Sequence, residues 1–361
     1  MKRLTFSLIT LACVNLVGCE NPDGPEGIEN DPQIRDYSNL FTPLTSKVLY
    51  PSDNPYNEKK EQLGELLFWD PILSGDQNTS CASCHHPDFG WADGRALSIG
   101  SDGIGLGPQR YGLQVTPIHS PTIMNVAFTG ITNNKTADTF VSGGYFWDLR
   151  AYTLEEQTLG PIKNPVEMLG YNISEQEIMA KIVERLRLIP EYVVLFEQSF
   201  AVSDAITSEN ITKALATFER KITSPNTRFD QFLAGEQSIF TQQEVIGLNK
   251  FIDGGCARCH LGPMLSDNKL HADEAIINDI VVRTPSLRNI SYTAPYMHDG
   301  SRARLIDAIA DYEDRGDLEV TIGDGDFSDI EAFLKTINTN DFYKGKPTIV
   351  PSGLSVGGDI Y

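Results

Sequence analysis

Cys81-Ala-Ser-Cys84-His85 and Cys256-Ala-Arg-Cys259-His260 decide how this chain is read. Each offers two thiols spaced to bond the two vinyl groups of a haem, and beside them an imidazole to bind its iron. Two other chemistries compete for the pattern, a zinc site and a redox dithiol. Zinc would want more Cys or His at short spacing, and no such pair follows. The two remaining cysteines, Cys13 and Cys19, lie at the N-terminus, far from either motif. The repeated Cys-x-x-Cys-His therefore implies two covalently bound c-type haems. Cys81, Cys84, Cys256 and Cys259 would carry them, with His85 and His260 as proximal iron ligands.

The start of the chain reads as an address. Lys2 and Arg3 precede a mostly apolar run from Leu4 to Val17, then Gly18-Cys19. That is a signal peptide over residues 1–18. With cysteine at the cleavage point it resembles the bacterial lipoprotein signal, in which Cys19 becomes the lipidated first residue of a periplasmic protein. Residues 19–36 are rich in Pro, Gly and acid and read as a flexible tether. An exported chain would normally pair its thiols as disulfides, which makes the histidine after each pair the more telling. The remainder has an ordinary globular composition, with 40% hydrophobic and 22% charged residues among 361. No apolar run reaches the roughly 20 residues needed to span a bilayer. A formal charge of −20 argues against nucleic acid as a partner.

Outward from the two motifs, the chain repeats itself. Ser120-Pro-Thr-Ile-Met-Asn125 resembles Thr284-Pro-Ser-Leu-Arg-Asn289, and Tyr145-Phe-Trp147-Asp148 resembles Tyr296-Met-His298-Asp299. The period is too long for a solenoid. It predicts two related haem domains, residues 37–235 and 236–361. Between the motifs the pattern is helical. Ser174-x-x-Glu177 is a capping box before Ile178, Ile182 and Leu186. Ile211, Leu215, Phe218 and Ile222 form a second stripe. Thr241-x-x-Glu244 caps a helix carrying Val245, Leu248 and Ile252 and ending at Gly254-Gly255. Ile330, Phe333, Leu334 and Ile337 make a late helix. The expected fold is mainly α, two related c-type cytochrome domains with one haem each and long loops.

These residues resemble the bacterial di-haem cytochrome c peroxidases and the related methylamine-utilisation (MauG) di-haem enzymes. The likeness runs from about Glu58 to about Gly316. It rests on both haem motifs, on Asp93-Gly-Arg-x-x-Ser98-Ile-Gly, Ser120-Pro-Thr and Phe146-Trp-Asp, and on Leu154-Glu-Glu-Gln157-x-x-Gly-Pro-Ile-x-Asn-Pro-Val-Glu167-Met. It continues in Thr284-Pro-Ser-Leu-Arg-Asn and Thr293-Ala-Pro-Tyr-Met-His-Asp-Gly300. One departure is Leu149, where the family usually has glycine. The resemblance implies a peroxidatic N-terminal haem served by Glu167 as acid/base, Gln157 in the same pocket, and Trp147 as an electron relay between the haems. In many relatives a histidine after Ser-Ile-Gly blocks the first iron. Here Ser101 follows, so the first haem is expected to be open; His86 adjoins the proximal ligand, and His119 lies in a turn that helps hold calcium in relatives. For the second haem the family uses methionine or, in the methylamine-utilisation enzymes, tyrosine; the matching residue is Tyr312. A phenolate stabilises ferric iron more than a thioether does. Met264, Met297 and His271 are rival ligands, and Tyr312 also reads as a helix-face core tyrosine. One calcium is implied, with Thr293 and Pro295 as carbonyl donors and His119 replacing the usual amide; imidazole suits calcium poorly.

Three functions follow as expectations. The first is reduction of hydrogen peroxide to water, with electrons from a small cytochrome c or copper protein. The second is oxidation of a protein or small organic substrate through a high-valent di-haem state. The third is plain electron transfer, against which Glu167 and the open first haem speak. A lipid anchor through Cys19 and a homodimer complete the implied partners.

Overall fold

The computed structural model describes residues 33–130, 144–272, 281–313 and 318–361. The signal segment, Cys19 and the tether up to residue 32 lie outside them. Among the described residues the helices are α1 (Glu58–Trp69), α2 (Leu154–Gln157), α3 (Leu159–Lys163), α4 (Ile178–Arg187), α5 (Pro190–Phe200), α6 (Ser208–Glu219), α7 (Arg228–Leu233), α8 (Gln242–Asp253), α9 (Leu305–Ala310) and α10 (Asp324–Thr336). Long loops with single helical turns join them. One small antiparallel sheet pairs β1 (Leu270–Ala272) with β2 (Val281–Arg283), His271 facing Val282. The protein is thus mainly α, as its apolar stripes predict; strands this short carry too little alternation to be read in advance.

Two helix pairs organise the chain. α1 packs on α6, and α8 packs on α10. Both contacts are close because a glycine sits at each crossing. A Cβ on Gly64 would lie 2.0 Å from the Ala214 carbonyl oxygen, and one on Gly247 would lie 1.8 Å from that of Asp329. Around the first pair lies a core with Phe68, Trp69, Trp91, Ile182, Phe218 and Ile222. Around the second lies a core with Phe229, Leu248, Phe251, Ile330 and Phe333. Each such ring or branched chain adds roughly 1.5–3 kcal/mol of transfer free energy. The chain ends cross over: Phe342 and Val350 join the first core, while Tyr37 and Phe41 join the second.

The sequence repeat is visible in the backbone. Asn125 and Asn289 both adopt left-handed conformation, at φ 63° and 57°, ahead of the single turns Val126–Phe128 and Ile290–Tyr292. Asn125 donates its amide N–H to Ile222 O, and its side chain bonds Ser224. Asn289 does the same with Ile337 O and Thr339. Each asparagine thereby ties its turn to the chain just past the second helix of its pair. The following loops match too: Tyr145 bridges to Ala151 and Tyr296 to Arg302. Leu149 has φ 59° where its counterpart is Gly300 at φ 64°. The departure from glycine therefore falls on a left-handed residue, at a cost of roughly 1–2 kcal/mol.

The capping of α8 is as read, with Thr241 and Glu244 bonding each other's amide N–H. At α4 the outcome differs. The Ser174 hydroxyl bonds the Glu177 carboxylate itself at 2.5 Å, and the helix begins only at Ile178.

Candidate active site

Both Cys-x-x-Cys-His segments fold as a tight turn that brings thiols and imidazole together. The His85 N–H donates to Cys81 O at 3.0 Å, and the His260 N–H to Cys256 O at 3.0 Å. Each imidazole is then oriented by a carbonyl: His85 Nδ1 lies 3.1 Å from Trp91 O, and His260 Nδ1 lies 3.0 Å from Leu265 O. With Nδ1 so engaged, Nε2 is the nitrogen left for a metal. Burial lowers the pKa of both imidazoles, which keeps them neutral. All four thiols are free. Burial raises their pKa values, so they rest as thiols.

The second segment opens on a cavity of about 270 Å³. Cys256, Cys259 and His260 form part of its wall, and Tyr312, Trp147 and Arg283 another part. Tyr312 stands just past α9, whose end is fixed by an Arg302–Asp311 ion pair at 2.6 Å. Met297 and His271 also line this cavity. Met264 does not; it packs with Leu44, Ala127 and Phe128. Cys259, Asp267 and His271 converge within 4.8 Å, and the His271 ring bonds Asp267 at 2.9 Å.

On the first side, Glu167 sits in a wide turn, Pro165–Leu169. Wide turns of this kind often mark functional sites. Asn164 builds it: its Oδ1 accepts from the Val166 N–H at 3.0 Å, and its Nδ2 donates to Glu167 Oε1 at 2.7 Å. Burial raises the Glu167 pKa, while the Arg150 charge and the Asn164 bond pull it back. Arg150 stacks 3.7 Å over the Phe146 ring. Gly160 in α3 leaves room for that ring, since a Cβ there would lie 2.6 Å from it. Gln157 closes α2, directly before α3 and the Asn164 turn.

The loop that follows Ser98-Ile-Gly is bound to the same turn. The Ser101 Oγ donates to Pro165 O at 2.9 Å, and its amide to Val166 O at 3.2 Å. Gly100 approaches so closely that a Cβ would lie 2.2 Å from the Val166 and Glu167 carbonyl oxygens. The buried Arg110 guanidinium donates to the carbonyls of Ile99, Gly100 and Gly105 at 2.6, 2.8 and 2.9 Å. His86 packs edge-on against Trp69. His119 lines the second cavity, with Nδ1 2.8 Å from Arg95 O; Trp147 donates its indole N–H to His119 O at 2.8 Å. Thr293 and Pro295 line that cavity as well.

A family model described as di-haem cytochrome c peroxidase matches residues 58–238. The cytochrome c551 peroxidase of Nitrosomonas europaea is 34% identical over 320 residues, 82% of this chain and 85% of its own length. The chain belongs to the di-haem cytochrome c peroxidase family. The methylamine utilization protein MauG of Methylorubrum extorquens is 32% identical over 80% of this chain and 81% of its own. A MauG-like protein associated with microbial copper homeostasis superposes with a TM-score of 0.65 at 28% identity, over 83% of this chain and 93% of that one.

As a di-haem peroxidase family member the protein is an oxidoreductase with two haem c groups, and its residues fit them. Each pair of free thiols stands beside an imidazole that a carbonyl orients, the donor set that a thioether-linked haem requires. Each proximal imidazole is neutral and pre-oriented. The sequence reading missed Asn164, Arg150 and Arg110. Asn before Pro165 is a turn signal that could have marked Asn164, and Arg150 closes the Trp147-Asp148-Leu149-Arg150 stretch, where it bonds Asp148; Arg110 leaves no local trace, because the carbonyls it bonds are set by tertiary structure.

Proposed function

We propose that this protein reduces hydrogen peroxide to water with electrons from a small periplasmic cytochrome c or copper protein. The chain is read as two related c-type cytochrome domains, 37–235 and 236–361, with their terminal segments exchanged. Peroxide meets the haem on Cys81, Cys84 and His85. The haem on Cys256, Cys259 and His260 serves electron transfer. The observation that carries the reading is the Glu167 turn: a half-buried carboxyl with one oxygen held by Asn164 and its pKa raised by desolvation. When bound, the two haems supply the electrons that cleave the oxygen–oxygen bond. Glu167 takes a proton from the entering oxygen and delivers it to the leaving one, so that water departs rather than hydroxide. Asn164 fixes the carboxyl plane, Gln157 orients the peroxide, and Arg150 keeps Glu167 ionised enough to accept. Trp147, hydrogen-bonded to His119 beside the second cavity, is assigned as the relay.

A second reading has its own support. Tyr312 lines the cavity that His260 lines, and a phenolate there favours oxidation of a protein or organic substrate over donor-driven peroxide turnover. Mixing the oxidised protein with peroxide, with and without a reduced small c-type cytochrome, separates the two. Multiple turnovers with the donor support the peroxidase. A long-lived oxidised state that the donor discharges slowly would replace it with the second reading.

The reading includes a periplasmic location with a lipid anchor at Cys19, and one calcium at the Thr293 and Pro295 carbonyls. Membrane fractionation of the native protein and metal analysis of the purified protein test these; a wholly soluble protein or one without calcium would remove the respective feature.

A further inference from the structure

The second cavity holds a charge imbalance that the proposed function does not use. Its described lining is apolar, aromatic and weakly polar, with histidines, and contains no Asp, Glu or Lys. It does contain Arg283. The fully buried guanidiniums among the described residues are satisfied differently. Arg220 pairs with Glu155 at 2.6 Å, Arg288 pairs with Asp230 at 2.8 Å, and Arg110 is bonded by carbonyls. Arg283 donates Nη1 to the neutral Asn268 Oδ1 at 3.0 Å, while its Nε is buried with no hydrogen-bond partner. Burial lowers its pKa to about 10, so it stays charged at neutral pH. Arg283 is half-buried and has no carboxylate partner among the described residues; such a cation is costly, and guanidinium is shaped to take a carboxylate in two parallel bonds. Its backbone is fixed too: the Arg283 N–H donates to Trp147 O at 2.8 Å at the end of β2.

We infer that Arg283 is the anion site of the second cavity and binds a propionate carboxylate of the C-terminal haem, with Asn268 steadying the guanidinium. The inference rests on that haem occupying the cavity. A positive charge at a propionate favours the reduced iron, so Arg283 holds the C-terminal potential up against the pull of Tyr312. Trp147, whose carbonyl accepts the Arg283 N–H, lines the same cavity.

The test is spectroelectrochemical titration of the holoprotein, wild type against Arg283→Gln, Arg283→Lys and Asn268→Ala. The haems are covalently attached, so two haems per chain should remain in every variant; loss of the C-terminal haem signal from the wild type itself would defeat the underlying placement instead. The C-terminal midpoint potential should fall in Arg283→Gln and be largely kept in Arg283→Lys. Asn268→Ala should show a smaller fall, which keeps the test open if the glutamine variant folds poorly. Resonance Raman should show the propionate bending modes shifted in Arg283→Gln. A glutamine variant with two haems, an unchanged potential and unchanged propionate modes overturns the inference. So does a wild-type potential that moves with added chloride or phosphate while that of Arg283→Gln does not, because then a free anion occupies the site.

Discussion

Glu167→Gln should leave both haems attached and slow the reaction of the oxidised protein with hydrogen peroxide by about a hundredfold or more, the scale of a positioned acid/base. The amide keeps the shape of the carboxyl and can still meet Asn164, so the Pro165–Leu169 turn should survive. It cannot take and return a proton. The pH profile adds a second reading of the same group. Glu167 must be ionised to accept the proton from peroxide. Burial raises its pKa, so the carboxyl becomes protonated, and the rate falls, at a higher pH than an ordinary glutamate would give. In Glu167→Gln that acid limb should vanish along with the rate. Stopped-flow traces across pH measure both. An unchanged rate with the acid limb intact would move the acid/base to another residue.

Tyr312→Met should raise the midpoint potential of the C-terminal haem by a substantial part of the ~0.8 V that axial ligands span across haem proteins. With Tyr312 as the proposed iron ligand, exchanging an anionic phenolate for a neutral thioether would remove the stabilisation of ferric iron. The cavity admits the change, since Tyr312 faces the space that His260 also lines. With the higher potential, a small cytochrome donor should reduce this haem more readily and peroxide turnover should rise. Potentiometric titration of the two haems decides it. A potential that does not move would return Tyr312 to the role of a packing side chain and leave Met297 or His271, in the same cavity, as the ligand to test.

What the sequence carried was the chemistry that depends on short spacing. Cys81 to His85 and Cys256 to His260 are local, and so is the Asn125/Asn289 repeat. That repeat marks the same structural need twice, a left-handed asparagine tied past the end of a helix. The stripes of α4, α6, α8 and α10 were legible for the same reason, since a 3.6-residue period is written in one segment. What was not legible depends on partners far along the chain. The tail carrying Phe342 and Val350 has no period, and nothing local tells that it returns to the first core. The Trp91 indole donates to Tyr343 O, and the Ser83 hydroxyl to Gly357 O, so that tail also braces the first haem motif. Arg110 and Arg283 look like surface charges until the fold encloses them. Leu149 stood out only against the family pattern; its left-handed backbone gives the physical reason that glycine is usual there.

The N-terminal haem should be open on its distal side without prior reduction. The Ser101 hydroxyl and amide are both committed to the Glu167 turn, and Arg110 pins the glycine-rich loop around it. His86 is packed against Trp69, and His119 belongs to the other cavity. Electron paramagnetic resonance of the fully oxidised protein, before and after one equivalent of hydrogen peroxide, tests this directly. We expect a high-spin ferric signal from the N-terminal haem that disappears on adding peroxide, with no reductant present. Two low-spin haems, no high-spin component and no reaction until one haem is reduced would contradict it.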